Sequence, residues 1–338
     1  MSKLIYFRAD FSNDYGMGNI NRSIILSNIF SKKGYTTKII SLIKENSKET
    51  FNFIDNNLNK NFIKINHETE LMSYLKKDDV NCLILDLNEK GEYQELISYI
   101  PEITMMCKII CFDKFLYDSS HFFLRVFPFG DLKKSCTNIL RGLKYHVFNQ
   151  NVVAKKKLKK PLAKIKNVLV SMGGADPNMV TPEILKILSS NRELTFHCVI
   201  GPLFTKDNVI NIKKVIDENS NCIAWHHPKN LSGLLLICDI AITSGGQTKF
   251  ETSLYGLPTI ILANNEQEEE LSRVFEEYGS SYVYGISKNF ISANFKNIFE
   301  NFIKDKNKLI EMSKIGSNIL DSKGGFRVVN AIIDKINN

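Results

Sequence analysis

The sequence has no apolar run approaching the ~20 residues that a membrane-spanning helix requires. Its first apolar segment, residues 4–7, is too short for a secretory signal and passes directly into polar residues. Hydrophobic residues make up 43% and charged residues 24% of the chain, a composition typical of soluble globular proteins. We therefore expect no transmembrane segment and a soluble, cytoplasmic protein.

The seven cysteines form neither a CxxC pair nor a cysteine–histidine cluster with the spacing of metal ligands. Most of them lie inside apolar runs, which is typical of buried thiols in a reducing cytoplasm. The sequence therefore predicts no metal site, and it gives no sign of a cofactor.

The chain also lacks a nucleic-acid-binding motif, although its net charge is +8. The lysines are widely spread, and residues 155–160 hold the one dense basic run. Without a recognised motif, that charge does not indicate a nucleic-acid partner. A basic surface near an acidic glycolipid or glycan is the alternative.

At 338 residues the chain exceeds the size at which a single hydrophobic core usually stops growing. Apolar strands alternate with helical patterns in both halves, and a charged connection separates them near residues 150–163. We predict an α/β fold of two doubly wound, Rossmann-like domains facing a central cleft. Their predicted bounds are 1–155 and 164–310, with a helical tail, 311–338, packing back onto the first domain.

Residues 241–263 read as strand, glycine turn, helix and strand. Gly245 and Gly246 form the turn, and backbone without Cβ atoms lets an anion approach the N–H groups closely. A diphosphate is the predicted ligand. An ordinary tight turn is the alternative interpretation of the same two glycines.

Two further glycine turns follow predicted strands. Gly16 and Gly18 follow the first strand, where open α/β sheets bind ligands. Their GxG spacing lacks the third glycine of a dinucleotide fingerprint, which excludes an NAD site. Gly173 and Gly174, with Asp176, are expected to line the cleft, and a purely conformational role in the turn is the alternative.

Four carboxylates stand near predicted strand ends: Asp10, Asp14, Asp86 and Asp113. Such an acid either faces a ligand or caps the next helix. If one of them is a catalytic base, we expect Asp10, because it lies closest to the first glycine turn in the sequence.

Several motifs, taken together, resemble a known family. They are RAD at residues 8–10 with GMGNINR at 16–22, VSMGGADP at 170–177, and DIAI, GGQT and GLP from residue 239 to 258. The tail DSKGGFR at 321–327 also fits. This pattern resembles the UDP-sugar hydrolases of the pseudaminic acid pathway and, more distantly, the MurG-type glycosyltransferases. The resemblance implies a GT-B fold and a nucleotide-sugar ligand.

Asn19 departs from that family, in which the same position carries a histidine taken as the base that activates water. An amide does not accept a proton near neutral pH, whereas imidazole titrates there. Asn19 can still orient a substrate through hydrogen bonds. Transfer of the sugar to an acceptor is therefore favoured over hydrolysis.

The resemblance also implies roles for individual residues. Gly245, Gly246 and Thr248 would hold the diphosphate, and Glu251 would accept hydrogen bonds from ribose hydroxyls. For Glu251, the alternative is an acid that complements the helix dipole. The remaining candidates are Gln267 for phosphate or sugar, His227 for the base or ribose, and Gly16, Gly18 and Arg22 for sugar or diphosphate. A solvated surface role is the alternative for Gln267, His227 and Arg22.

We therefore predict a glycosyltransferase that moves a nonulosonate-type or surface-glycan sugar from a nucleotide donor to a glycan or protein acceptor. UDP is the expected nucleotide, with CMP as the alternative. A UDP-sugar hydrolase that uses another base is the second hypothesis. A catalytically inactive sugar-nucleotide-binding protein is the third.

Overall fold

The structure is a computed structural model that describes residues 3–11, 17–42, 62–87, 93–112, 122–128, 138–149, 164–228 and 230–337. The chain divides into two compact units. The first comprises residues 1–149 together with 323–338, and the second comprises residues 150–322. None of the described helices is both long enough and apolar enough to cross a bilayer.

Each unit contains one sheet whose neighbouring strands all pair in parallel. The strands of the first sheet are β1 (Leu4–Ala9), β2 (Thr36–Leu42), β3 (Phe62–Ile65), β4 (Cys82–Asp86), β5 (Lys108–Phe112), β6 (Leu124–Phe127) and β7 (Ile139–Arg141). Those of the second sheet are β8 (Asn167–Ser171), β9 (Thr195–Ile200), β10 (Cys222–His226), β11 (Ile240–Ser244), β12 (Thr259–Ala263) and β13 (Ser281–Ile286).

Helices alternate with these strands. The first unit contains α1 (Gly18–Lys32), α2 (Glu68–Lys77) and α3 (Gln94–Met106). The second contains α4 (Thr181–Leu188), α5 (Lys206–Glu218), α6 (Ser232–Ile237), α7 (Thr248–Leu254), α8 (Glu266–Glu277), α9 (Ser292–Lys304) and α10 (Lys306–Ile319). The last helix, α11 (Gly324–Asn337), belongs to the first unit.

Successive side chains of a strand point to opposite faces of a sheet, so alternate residues of each strand belong to the two cores of the first sheet. Ile5 and Phe7 pack with residues of α1 and α11, whereas Tyr6 packs with residues of α2 and α3. Because both faces are covered, the strands are continuous apolar runs, which is typical of parallel sheets. The predicted doubly wound α/β architecture is confirmed for each unit.

The strand order locates the ligand-binding edge of each sheet. The first sheet runs β3-β2-β1-β4-β5-β6-β7 and the second runs β10-β9-β8-β11-β12-β13. In the first sheet, β2 and β3 lie on one side of β1, and β4 to β7 lie on the other. The second sheet has the same arrangement around β8, so the β1/β4 and β8/β11 junctions are topological switch points. Ligands of open α/β sheets bind outside the carboxyl ends of the strands at such points.

The C-terminal helical segment, predicted from residue 311 onwards as one tail, is shared between the units. Helix α10 packs on α7 of the second unit. Gly316 makes that contact close, because a Cβ there would lie 3.1 Å from the Ser253 carbonyl oxygen. Only residues 323–338 join the first unit.

The glycine pair at the start of α11 packs directly on the backbone of the first unit. A Cβ added at Gly324 would lie 1.9 Å from the His146 carbonyl oxygen, and one at Gly325 would lie 2.9 Å from Ile29 Cδ1. Arg327 donates a hydrogen bond from Nη1 to the Lys144 carbonyl at 2.9 Å. The DSKGGFR motif therefore includes the residues that attach the final helix.

We expect Gly324→Ala to destabilise the protein by about 3 kcal/mol, because backbone must move to admit the methyl group. Urea unfolding measures this loss. Gly233→Ala in α6 is the matched control, since a Cβ added at Gly233 would have no atom within 4 Å. The control should be neutral or stabilise by up to about 1 kcal/mol, and an equally neutral Gly324→Ala would contradict the packing.

Candidate functional site

Two glycine turns meet at the β8/β11 switch point. Gly173 has a φ of +76°, which favours glycine, and a Cβ there would lie 3.1 Å from Ser244 Oγ at the end of β11. Gly201, which follows β9, packs still more closely, because its Cβ would lie 2.4 Å from the Gly174 carbonyl oxygen. The loops after β8 and β9 are therefore in backbone contact, and the loop after β8 also packs on the Ser244 side chain at the end of β11.

Asp176 shapes the first of these turns. Its side chain is 1% exposed and accepts hydrogen bonds from the Val180 and Thr181 N–H groups at 3.1 and 3.0 Å. Asn208 Nδ2 of α5 donates to the same carboxylate at 3.0 Å. These contacts fix the start of α4 and support the conformational role that sequence reasoning gave as the alternative to contact with the ligand.

The second turn, Gly245–Gly246, lies against the first turn of α8. A Cβ at Gly245 would approach Glu268 Cβ to 2.8 Å, so only glycine fits there without displacing the helix. The Glu268 carboxylate in turn accepts the Asn264 N–H at 2.9 Å. The Gly246 N–H donates a long, weak hydrogen bond to Ser244 Oγ at 3.5 Å.

Glu251 lies one turn into α7 and has an unusual environment. Burial raises the pKa of its carboxyl from 4.5 to about 7. Among the described residues, none donates a hydrogen bond or forms an ion pair with this carboxylate. The residue as a whole is half-buried, so its carboxylate is an acceptor that hydroxyl or N–H groups of a ligand can reach.

Other candidate side chains of the second unit also have polar groups that the described residues do not use. Thr248 is 7% exposed, and its hydroxyl makes no hydrogen bond to a described residue. Gln267 is half-buried beside Glu268, and its amide likewise has no described partner. His227 is exposed with a φ of +43°, and its backbone N–H donates to the Ile200 carbonyl. Its ring is therefore held by the turn and faces solvent.

In the first unit, Arg22 pairs with a carboxylate of the chain itself. Its Nε and Nη2 donate to the two oxygens of Asp86 at 2.9 and 2.5 Å. Asp86 is fully buried and also accepts from Ser23 Oγ at 3.2 Å, while the Arg22 guanidinium stacks over Phe112. This bidentate pair joins α1 to β4, so both side chains serve the fold at the switch point.

Asp10 belongs to a second buried ionic cluster. Its Oδ1 accepts from Arg8 Nη1 at 2.5 Å and from the Leu42 N–H at 2.9 Å. Arg8 also contacts both oxygens of Glu68, and these two acids raise the pKa of its fully buried guanidinium. The contacts with Arg8 and Leu42 hold Asp10 in place at the end of β1. Its Oδ2 has no partner among the described residues.

Gly18 and Asn19 form the first turn of α1, which contains no acidic residue, and Met17 gives it no side-chain cap. Asn19 is half-buried, and its amide contacts no described partner. Gly16, Asp14 and Asp113, also named from the sequence, lie outside the described residues. Within the described ranges, no group of three His, Cys, Asp or Glu side chains could hold a metal ion.

Sequence reasoning overlooked three residues that shape the site. Gly201 ends an apolar strand, a position that would have signalled a close backbone approach. Glu68 and Lys249 are charged residues within helices, which normally indicates a solvated face, yet they are 2% and 1% exposed. Nothing local in the sequence distinguishes them from surface residues.

Comparison with known proteins gives distant relatives. The scan against protein-family models finds no match. The chain is 26% identical over 276 residues to an uncharacterized protein, MJ1062, of Methanocaldococcus jannaschii, covering 77% of this chain and 56% of that one. It is 21% identical over 188 residues to the spore coat polysaccharide biosynthesis protein SpsG of Bacillus subtilis, covering 50% of each.

A third relative is a Helicobacter pylori protein named as a pseudaminic acid cytidylyltransferase and UDP-2,4-diacetamido-2,4,6-trideoxy-beta-L-altropyranose hydrolase. The match is 30% identical over 114 residues, or 34% of this chain and 20% of that protein. The chain thus spans about half the length of the first two relatives and a fifth of the third.

Solved structures define the fold. MurG of Acinetobacter baumannii superposes with a TM-score of 0.68 at 10% identity, covering 98% of this chain and 99% of that one. The UDP-GlcNAc 2-epimerase of Neisseria meningitidis, bound to UDP-GlcNAc, gives 0.62 at 11% identity, covering 98% and 100%. The chain therefore has the GT-B fold.

We expect Arg22→Met to destabilise the protein by about 3 kcal/mol or more, because it leaves the buried Asp86 carboxylate without its cation. The double variant Arg22→Met/Asp86→Leu should recover much of that loss. Denaturant unfolding measures both. Lys76→Met breaks a largely exposed ion pair with Glu102 and serves as a near-neutral control. No recovery in the double variant would contradict mutual pairing.

Proposed function

We propose that the chain is a nucleotide-sugar-dependent enzyme of the GT-B class, and specifically a glycosyltransferase. The relatives support the substrate class: one is named for polysaccharide biosynthesis, one for hydrolysis of a UDP-sugar, and one structural neighbour holds UDP-GlcNAc. The geometry at the β8/β11 switch point supports the location of the donor nucleotide.

Glu251 is the observation that carries this proposal. A desolvated carboxylate whose pKa is raised to about 7 is costly to keep unless a ligand uses it. Its two oxygens match the two neighbouring hydroxyls of a ribose, each of which donates one hydrogen bond. We therefore propose Glu251 as the acceptor of the nucleoside ribose.

The diphosphate is proposed to lie on the Gly245–Gly246 turn. The Gly246 N–H makes a long, weak hydrogen bond to Ser244 Oγ that a phosphate oxygen can replace, and the Thr248 hydroxyl and Gln267 amide stand on the two helices that flank the turn. Fixed N–H and hydroxyl dipoles can stabilise the charge that develops on a departing diphosphate. In this assignment Gly173 and Gly174 leave room for the donor to approach the backbone. His227 is the candidate for contact with the nucleobase or the ribose.

The first unit is proposed to handle the acceptor. Asn19 and Oδ2 of Asp10 have no partner among the described residues, and both can hold an acceptor hydroxyl in place. The hydrogen bonds from Arg8 and from the Leu42 N–H fix the Asp10 carboxylate, so that its Oδ2 can orient a hydroxyl. With an amide at position 19, transfer to a positioned acceptor is favoured over attack by water.

UDP is the proposed donor nucleotide, with CMP as the alternative, and the acceptor is a glycan or a protein. A nonulosonate-type or surface-glycan sugar fits the names of the relatives. We place the reaction in the cytoplasm, where the six described cysteines would remain the buried thiols that the structure shows.

We expect Glu251→Gln to weaken UDP binding about tenfold or more near pH 8, because an ionised acceptor of ribose hydrogen bonds is lost. In the wild type the ionised fraction of Glu251 rises as the pH passes about 7, so the affinity ratio of wild type to variant should grow between about pH 6 and about pH 8.

Calorimetry at several pH values measures this ratio. Protonation of the UDP phosphate affects the affinities of wild type and variant equally, so it cancels from the ratio. Glu277→Gln, an exposed acid of α8, is the control and should bind UDP as the wild type does. A ratio near one at every pH would remove Glu251 from the site.

Transfer and hydrolysis are separated by the fate of a UDP-sugar with and without acceptor. We expect slow release of free sugar in water and faster consumption when a suitable acceptor is present. Asn19→His should raise hydrolysis by about 10²-fold or more if the site retains the geometry of the hydrolases it resembles. Rapid hydrolysis by the wild type would contradict transfer, and UDP-sugar binding without turnover would indicate an inactive binder.

A further inference from the structure

Lys249 is a buried cation beside the proposed diphosphate turn, and no step described so far uses it. Its side chain is 1% exposed on the second residue of α7. The ammonium donates to the Gly245 carbonyl at 2.6 Å and to Ser272 Oγ of α8 at 3.2 Å. The rings of Phe250 and Phe275 lie 5.5 and 5.9 Å from the nitrogen, within the range of cation–π contact.

The bond to Gly245 fixes the orientation of one peptide group. The carbonyl of Gly245 and the N–H of Gly246 belong to the same trans peptide plane and point in opposite directions. An ammonium that holds the carbonyl therefore also holds the N–H of Gly246 on the opposite side of the peptide, where it faces Ser244 Oγ at 3.5 Å. Consistent with this, Gly245 is buried whereas Gly246 is half-exposed.

Two adjacent glycines would otherwise let this peptide rotate, because neither residue has a Cβ to restrict φ and ψ. The Cα of Gly245 is already pressed against Glu268 of α8. Lys249 restrains the same residue at its carbonyl, so rotation of the peptide would break a charge-assisted hydrogen bond inside a buried site. A ligand can therefore still approach the backbone of the glycine turn closely, but the 245–246 peptide no longer rotates freely.

We propose that Lys249 is a positioning residue that presents the Gly246 N–H to the diphosphate of the bound nucleotide. The lysine acts through the peptide and does not touch the ligand. Its charge also polarises the peptide, which makes the N–H a stronger donor to an anion. This inference rests on the proposed nucleotide site and adds the group that preorganises it.

The test compares UDP with uridine, because only UDP carries the diphosphate. We expect Lys249→Met to weaken UDP binding about tenfold and uridine binding less than about twofold. The gain in affinity that the diphosphate gives UDP over uridine should therefore shrink. Lys249→Gln retains an N–H donor and should restore part of that gain. A lysine that only filled space would lower stability without changing the ratio of the two affinities.

Ser272→Ala is the matched control, because it removes a second described partner of the ammonium and leaves the Gly245 carbonyl bond in place. Its ratio of UDP to uridine affinity should equal that of the wild type. A folded Lys249→Met protein that also keeps the wild-type ratio would overturn the positioning role. If Glu251→Gln still weakens UDP binding in that case, the proposed nucleotide site survives.

A measurement on the wild type keeps the inference testable if the lysine variants do not fold. Glycine labelled with ¹³C at the carbonyl and ¹⁵N at the amide reports the three Gly–Gly peptides, 173–174, 245–246 and 324–325. The 245–246 signal, assigned by its loss in Gly246→Ala, should shift with UDP and stay in place with uridine. Binding of UDP without that shift would overturn the inference, and absence of any binding would overturn the proposed function as well.

Discussion

Close backbone packing between strand-end loops is the constraint on which the second unit depends. The turns after β8, β9 and β11 touch through Gly173, Gly201 and Ser244 at distances that exclude ordinary side chains. Gly245 is pressed equally closely against α8. Because these loops are rigidly joined at a topological switch point, the polar groups at its rim have defined positions.

Much of the polar inventory at the two switch points serves this rigidity. Asp176 fixes the first turn, Arg22 and Asp86 join α1 to β4, and Arg8 ties Asp10 to α2. Such networks satisfy buried charges that would otherwise be very costly. We assign ligand contacts to polar groups that have no described partner, namely Glu251, Thr248, Gln267, Asn19 and Oδ2 of Asp10.

The sequence was sufficient for the fold because the parallel strands are buried on both faces and therefore stand out as apolar runs. In the strand Cys82–Asp86, for example, every residue is buried. The apolar run from residue 234 to 242 contains both the end of α6, which spans residues 232–237, and the start of β11 at Ile240. Periodicity alone does not separate a short buried helix from a buried strand.

The site was less accessible from the sequence, because a charged residue's role depends on partners far away in the chain. Arg22 finds Asp86, and Arg8 finds Glu68 sixty residues later. Lys249 has the sequence signature of a surface lysine and is buried only because α8 covers it. Glu251, by contrast, was proposed as a ligand contact from its motif. The structure adds that burial raises the pKa of its carboxyl to about 7.

The central claim is that the second unit binds the donor nucleotide at the β8/β11 switch point. A crystal structure of the protein with UDP tests it most directly. The account predicts ribose hydroxyls on the Glu251 carboxylate and a diphosphate oxygen within about 3.2 Å of the Gly246 N–H. A well-ordered UDP bound elsewhere, with Glu251 and Gly246 free of it, would contradict the account.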